Sequence, residues 1–573
     1  MAPRLLAALV ACALALATAA GSASANPVQQ SIIQDEARML YSGQKVQDLT
    51  LDEAKTLGAD IVKVTVNWSR VAPAGSKKPT GFVGSDPAEY PEASWAAYDN
   101  LVRGAAARGL KVFFLVGGRA PAWATQKGGT AQGSYKPDPV AFGNFVKALG
   151  TRYSGNYTPA GQQTPTPDTG GGSGGGGGGN GGTPACPPGQ QWDPQLNQCV
   201  VPISLLSTAS FTAHSAQASG ALPKVTIWSV WNEPNLNGWL QPQWLNRNVP
   251  ASPAVYRGLL LAAHDSLVQT GHAGDELLIG ELLPFIRGKR DYPSRVSPLQ
   301  FLRELACVDK NYKPYRGSAA AARGCSNYKP LPGTGIAHHP YTLKGPDVSD
   351  ARPDDVAIME LGRMNAALKK LTRAHRFEHR SMPIWLTEFG YQTNPPDPYA
   401  FPSKLVPRYM GMSEWFAFKN RLVKSYAQYP LRDDPVDGRG PQRFHGFQSG
   451  IRSSAGRLKR GVYQAYEYPF FVRQANKSSV EIFGGVRVGK PGDKIVIQSK
   501  APGGASYFGI PGGTLSLGTG GYFDKTLRIR NAGLRSFRFV LATDDTKTSV
   551  ALAPFARPPA SVILPPPGAK KKK

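Results

Sequence analysis

Two glutamates in this sequence, Glu233 and Glu388, each come directly after a short apolar run. Glu233 lies in the segment WSVWNEPN of residues 228–235, and Glu388 lies in IWLTEFG of residues 384–390. Such runs predict buried β-strands, and a residue that follows a strand is delivered at the strand's carboxyl end. The pattern therefore predicts two carboxylates at one edge of a parallel sheet.

A pair of carboxylates can cleave a glycosidic bond with retention of configuration. One carboxylic acid protonates the leaving oxygen, and a carboxylate roughly 5–5.5 Å away attacks the anomeric carbon. We expect Glu233 and Glu388 to form this pair, and we expect Asn232 to hydrogen-bond the sugar 2-hydroxyl. The sequence offers no cluster of His and Asp ligands, so this chemistry is expected to need no metal and no cofactor.

Strands and helices alternate from about residue 30 to residue 475, which predicts a parallel α/β fold. Strands are predicted near residues 32–35, 61–66, 112–116, 225–230, 277–280, 335–337, 384–387 and 426–429. Eight strands over this length favour a (β/α)8 TIM barrel, and no Gly-x-Gly-x-x-Gly motif supports a dinucleotide fold. Among the helices, TLDE at residues 50–53 predicts a capping box, and residues 413–424 predict a helix.

With these motifs in place, residues 30–475 resemble the glycoside hydrolases of clan A, particularly the cellulase-like family 5 and the β-xylosidase-like family 39. The resemblance implies that Glu233 is the general acid/base and that Glu388 is the nucleophile. It also implies that His339 and Tyr341, in the segment HPY of residues 339–341, lie near the nucleophile. The clan acts mainly on equatorial bonds, so a β-linked O-glycoside or polysaccharide is the expected substrate.

Aromatic residues at strand ends are expected to contact the sugar, since sugar rings stack on aromatic faces. The resemblance implies this role for Trp68 and Trp123, and Trp239 follows Glu233 closely; the alternative for each is a place in the core. The sequence also departs from the clan. Lys63 stands where many members have an arginine, and no tryptophan lies near the eighth strand, where Tyr426 or Phe447 are the substitutes.

The N-terminus predicts export. Arg4 begins a basic region, residues 5–20 form an apolar run, and the segment ASA of residues 23–25 offers a cleavage site. We expect a signal peptide over residues 1–25, a secreted, extracellular protein, and no integral membrane span. The barrel domain is predicted over residues 26–475, a small β-sandwich-like domain over 476–556, and a disordered Pro/Lys tail over 557–573.

An insertion of residues 157–222 interrupts the barrel, and it contains a nearly pure glycine run. It lies between a helix and the following strand, so it is expected on the face opposite the catalytic pair and to be dispensable for chemistry. Of the three possible pairings of the four mature cysteines, we expect the local one, Cys186 with Cys199 and Cys307 with Cys325.

The formal net charge of +27 is compatible with contact with an anionic cell surface or polymer, and we interpret it as serving adhesion or solubility rather than the function itself. The cations are scattered rather than striped, so no nucleic-acid partner is expected. A second hypothesis remains beside the enzyme: a catalytically silent barrel that binds carbohydrate or cell wall.

Overall fold

The structure is a computed structural model that describes residues 29–160, 191–193, 198–200, 220–286, 292–349, 352–437, 443–444 and 446–556. The predicted signal peptide, the C-terminal tail, most of the insertion and the predicted Cys186–Cys199 bridge lie outside the described residues.

Eight parallel strands close into a barrel in which each strand pairs with its sequence neighbours and the eighth pairs with the first. The strands are β1 Gln30–Gln34, β2 Ile61–Asn67, β3 Lys111–Gly117, β4 Ile227–Val230, β5 Glu276–Leu282, β6 Gly335–His338, β7 Ile384–Leu386 and β8 Val423–Gln428. This confirms the predicted (β/α)8 barrel. Glu233 and Glu388 follow β4 and β7, as expected from the strand count.

One apolar side chain from each strand fills the middle of the barrel. Because side chains alternate along a strand, the residue two positions further on each strand points to the same interior. On β2 and β4 these next residues are the polar Lys63 and Ser229, so a polar layer sits above an apolar one. The apolar layer consists of Ile32, Ile61, Phe113, Ile227, Leu278, Ala337, Trp385 and Ala427.

Helices surround the barrel. They are α1 Glu36–Leu40, α2 Gln44–Thr56, α3 Trp68–Val71, α4 Glu92–Ala107, α5 Pro139–Arg152, α6 Ser252–Gln269, α7 Pro298–Leu305, α8 Gly317–Ala321, α9 Leu361–Arg373, α10 Val406–Lys419 and α11 Arg460–Glu467. Two helix predictions are corrected. Thr50 lies inside α2, where its hydroxyl donates to the Val46 carbonyl at 2.6 Å instead of capping a helix. The helix predicted over 413–424 begins earlier and ends at Lys419, because β8 starts at Val423.

Two antiparallel sheets follow the barrel. Their strands are β9 Phe470–Asn476, β10 Ser479–Gly485, β11 Lys494–Lys500, β12 Phe508–Ser516, β13 Tyr522–Arg528, β14 Ser536–Leu541 and β15 Asp544–Thr548. The sheet orders are β9-β10-β13 and β12-β11-β14-β15. A buried carboxylate of α10, Glu414, binds Arg487 at 2.7 Å and accepts from the Tyr522 hydroxyl at 2.6 Å, which ties these sheets to the barrel. The domain boundary at residue 476 stays a prediction.

The first and last residues of the insertion that the structure describes are close together. The Leu222 amide donates to the Tyr157 carbonyl at 2.8 Å, so the two described ends of the insertion lie side by side. The predicted disulfide between Cys307 and Cys325 is confirmed, and it lies between α7 and β6. Within the described ranges, no helix has the length and hydropathy needed to cross a bilayer.

Candidate active site

A fully buried carboxylate, Glu281, forms the centre of a polar network at the carboxyl end of the barrel. Its Oε1 accepts a hydrogen bond from Ser229 at 2.6 Å. Its Oε2 accepts from Lys63 at 2.8 Å, from Thr387 at 2.6 Å and from the His339 Nε2 at 2.6 Å. Donors from β2 and β4 and from the residues directly after β6 and β7 therefore converge on one carboxylate whose oxygens are fully engaged within the protein.

The backbone of β5 explains how Glu281 reaches this position. Gly280 pairs with Ala337 and Leu282 pairs with His338, so Glu281 is an extra residue that bulges out of the ladder. Its φ is 56°, a left-handed conformation that is uncommon for a residue other than glycine. Bulges beside active sites re-aim a side chain, and here the bulge turns Glu281 into the barrel.

The two predicted catalytic carboxylates are joined by one imidazole ring. His339 Nδ1 lies 3.1 Å from Glu233 Oε1, and His339 Nε2 lies 3.8 Å from Glu388 Oε2. The His339 side chain is fully buried, whereas Glu233 and Glu388 retain 13% and 12% of their side-chain exposure. The ring thus lies between the two carboxylates at the mouth of the barrel, with a hydrogen bond to Glu233 and a longer ionic contact to Glu388.

The loop after β4 presents Glu233 in a strained conformation. Glu233 has φ 35° and Trp231 has φ 62°. Residues in such sparsely populated regions cluster at functional sites because the surrounding structure must hold them there. Here the Glu233 amide donates to the Glu281 carbonyl at 3.1 Å, and the Trp231 amide donates to the Val116 carbonyl at 2.8 Å. Asn232, which is predicted to contact the sugar 2-hydroxyl, lies between Trp231 and Glu233 in the sequence. Its side chain is half-buried.

Tyr341 binds the other oxygen of Glu388. The Tyr341 hydroxyl donates to Glu388 Oε1 at 2.9 Å, and burial raises the pKa of this phenol well above its usual range, so it remains a donor. Burial also raises the pKa of Glu388, against the opposing charges of His339 and Lys63. Four of the predicted site residues, Glu233, His339, Tyr341 and Glu388, are therefore brought together.

The charges of the network reinforce one another. Burial disfavours a charged His339, but the Glu388 charge and the hydrogen bonds to Glu233 and Glu281 outweigh it and raise the pKa of His339 to about 10. Burial likewise opposes ionisation of Glu281, yet the Lys63 charge and the His339 hydrogen bond lower the pKa of Glu281 well below its usual range. His339 is consequently an imidazolium, and both of its N–H groups can donate.

The predicted role of Trp68 in substrate binding is wrong for this structure. Trp68 is fully buried, stacks on Phe145 with ring centroids 5.7 Å apart and packs against Phe142. The residue begins α3 and turns into the layer between β2 and α5, so it has no exposed face for a sugar. Trp68 is therefore a residue of the core, which was the alternative considered for it.

The other aromatic candidates differ in their burial and in the groups that they contact. Trp123 is half-buried, donates to the Pro73 carbonyl at 3.1 Å and lines a groove of about 380 Å³ that contains none of the carboxylate network. Trp239 is half-buried with the Arg119 guanidinium 5.7 Å from its ring. Tyr426 is buried against Phe389.

Phe447 lies beside the site, since its ring stacks on that of Tyr341 with centroids 6.4 Å apart. It also contacts the ring of Tyr429 at 4.8 Å, just past the end of β8. Of the two substitutes proposed for the missing tryptophan, Phe447 is therefore the one placed near Glu388. A separate cavity of about 300 Å³ is lined mainly by Phe285, Thr342, Leu343, Lys344 and Val348.

Ser229 and Thr387 were not assigned a site role from the sequence, and neither was the central position of Glu281. The sequence does contain a signal for one of these residues, Ser229, and for Lys63. Lys63 and Ser229 each interrupt a mainly apolar strand, and a polar residue in a buried strand needs a polar partner. The β5 bulge has no such signal, because it depends on pairing with β6. In the described part of the chain, no group of three or more His, Cys, Asp and Glu side chains is arranged to hold a metal ion.

The sequence matches no family model and no curated protein sequence. Solved structures that match include an exo-beta-1,4-mannosidase from Opitutaceae bacterium strain TAV5, with 12% identity, a TM-score of 0.37 and coverage of 77% of this chain and 59% of that one. A GH5_18 protein from Streptomyces cattleya matches with 14% identity, a TM-score of 0.41 and coverage of 77% and 81%. An endo-1,4-beta-mannanase from Rhizomucor miehei matches with 12% identity, a TM-score of 0.35 and coverage of 70% and 86%. Similarity at this level is not evidence of shared activity, and the barrel itself is established by the strand pairing above.

Proposed function

We propose that this protein is a retaining glycoside hydrolase of the clan A type that cleaves β-linked O-glycosides. The observation that carries the proposal is the placement of Glu233 and Glu388 at the ends of β4 and β7, bridged by His339 and both reaching solvent. Two such carboxylates at the carboxyl face of a barrel can act as an acid and a nucleophile on one glycosidic bond.

In the first step, a carboxylate oxygen of Glu388 forms a bond to the anomeric carbon while the bond to the leaving oxygen breaks. Glu233 gives its proton to that oxygen. The Tyr341 hydroxyl occupies Oε1 of Glu388, so Oε2 is the oxygen left for attack. The His339 Nδ1–H occupies Oε1 of Glu233, so the acid proton is carried by Oε2.

In the second step, Glu233 is a carboxylate and removes a proton from water, whose oxygen then attacks the anomeric carbon. The bond to Glu388 breaks, the sugar leaves with its original configuration, and Glu233 is again protonated. The positive charge of His339 stabilises Glu233 when Glu233 becomes a carboxylate in the first step. It stabilises Glu388 when Glu388 becomes a carboxylate again in the second step.

We also propose that the protein is secreted. It is supported by the export signal in residues 1–25 and by the disulfide between Cys307 and Cys325, since disulfides persist in oxidising compartments. N-terminal sequencing of protein recovered from the culture medium should give a mature chain beginning at residue 26. Intact residues 1–25 on a protein retained in the cell would contradict export.

The test of function is hydrolysis. The mature protein is incubated with aryl β-glycosides and with plant and microbial polysaccharides, beside Glu388→Ala and Glu233→Ala. Glu89→Ala, an exposed glutamate on the same barrel, is the matched control. We expect cleavage by the wild type and the control and a loss of about 10³-fold or more in Glu388→Ala. Equal polysaccharide binding by all four proteins with cleavage by none would favour the carbohydrate-binding alternative.

A further inference from the structure

The network contains two buried cations and three carboxylates. Lys63, Glu281 and His339 have fully buried side chains, and Glu233 and Glu388 are nearly buried. The apolar layer lies beneath them, and the Phe113 ring lies 5.5 Å from the Lys63 ammonium. In such surroundings a charge without a partner is strongly disfavoured, so the charges must balance locally.

We propose that the Lys63–Glu281 ion pair and His339 together fix the number of protons that Glu233 and Glu388 share at one. The Lys63 ammonium neutralises Glu281 at 2.8 Å. The remaining positive charge, on His339, balances one carboxylate, and the other carboxyl must keep a proton. This inference rests on the proposed function, because one acid and one carboxylate are what the first step of a retaining mechanism requires.

The distribution of the shared proton follows from the same contacts. Glu388 lies near both cations and accepts from Tyr341, and these contacts favour its ionised form against burial, which raises its pKa. Glu233 has one contact of this kind, to His339. Lys63 and Glu281 touch neither the leaving oxygen nor the anomeric carbon in this scheme, so they are positioning residues rather than catalytic ones.

Other titratable groups face the network from neighbouring elements, and the charge of one of them, Glu36, acts to raise the pKa of Glu388. Glu36, after β1, is half-buried at the rim, where it accepts from Gln34 and Thr65 and where solvent screens its charge. Burial lowers the pKa of His338 on β6 to about 3, so this ring is neutral. Burial raises the pKa of Tyr341 and of Tyr429 well above the usual range, so both phenols are neutral.

Two substitutions of opposite charge test the proposal. Glu281→Gln removes a negative charge, so the network should release its proton at lower pH and the basic limb of the kcat/KM profile should move down by about 1–3 pH units. Lys63→Met removes a positive charge, so a second proton should be retained and the acidic limb should move up by a similar amount. The double variant restores the balance and should return both limbs toward the wild-type positions, and Lys63→Arg should leave them in place.

A second readout needs no substrate. NMR titration of ¹³C-labelled glutamate carboxyls and ¹⁵N-labelled histidine in the wild type and the folded variants should show network titrations displaced in opposite directions in the two single variants. Circular dichroism establishes which variants fold, and Lys63→Gln is the charge-removing variant where Lys63→Met does not fold. Displacements of the same sign, or unchanged titrations, would overturn the proposal. If the wild type cleaves no glycoside yet the displacements are opposite, the proposed function fails while the charge balance stands.

Discussion

At the scale of single residues, His339 is the side chain that both solvent-reaching carboxylates share. Glu388 must be ionised to attack, so activity is lost as the pH falls through its pKa, which burial raises and His339 opposes. His339→Asn removes that cation, and the acidic limb of kcat/KM should therefore move to higher pH by about 1–3 units. Initial rates measured across the acidic range test this, with His264→Asn on the outer helix α6 as the control. An unmoved limb would contradict the role of the imidazolium.

Tyr341 supplies the direct hydrogen bond to Glu388, at 2.9 Å. A hydrogen bond to a charged group contributes about 1.5–3 kcal/mol, so Tyr341→Phe should lower kcat/KM by roughly 10–100-fold. Tyr328→Phe is the matched control, because its hydroxyl donates to the Arg376 carbonyl instead. Steady-state kinetics on an aryl glycoside distinguish the two, and equal losses in both variants would indicate a general effect on folding.

At the scale of elements, the approach of β3 to the loop after β4 sets the position of Glu233. Gly117 ends β3 with φ 135°, and a β-carbon there would lie 2.8 Å from the Trp231 ring. Gly117→Ala should displace Trp231 and lower kcat as well as stability. Gly271→Ala is the control, since Gly271 has φ 86° with nothing within 4 Å of an added β-carbon. Thermal melts and kcat are measured on both; equal kcat values would show that the Gly117 contact does not position Glu233.

The sequence was informative where local pattern decides structure. Apolar runs located all eight barrel strands, and the polar ends of β4 and β7 gave Glu233 and Glu388. Prediction from the sequence failed where a contact between distant elements decides the structure. The bulge at Glu281 depends on pairing with β6, and Trp68 is buried because α3 turns inward to meet Phe142 and Phe145. Thr50 shows the same limit for helices, because a capping motif inside a longer amphipathic helix is overridden by packing.

At the scale of the whole molecule, the two described ends of the insertion of residues 157–222 lie side by side. The hydrogen bond between Leu222 and Tyr157 holds its ends together on the connection from α5 to β4, away from the carboxyl ends of the strands. Joining Ala160 directly to Gly220, with residues 161–219 removed, should leave kcat/KM on an aryl glycoside unchanged. A folded deletion variant with reduced kcat/KM on this small substrate would show that the insertion contributes to the site.

The whole account depends on opposite roles for Glu388 and Glu233, and azide rescue measures those roles directly. With an activated aryl β-glycoside, azide should restore turnover to Glu388→Ala by attacking the open face, which gives the α-glycosyl azide. In Glu233→Ala, azide should attack the covalent intermediate on Glu388 and give the β-glycosyl azide. Proton NMR of the products reads the two configurations. An α-azide from the first variant and a β-azide from the second is the predicted result; the same configuration from both, or rescue of neither, would contradict the assignment.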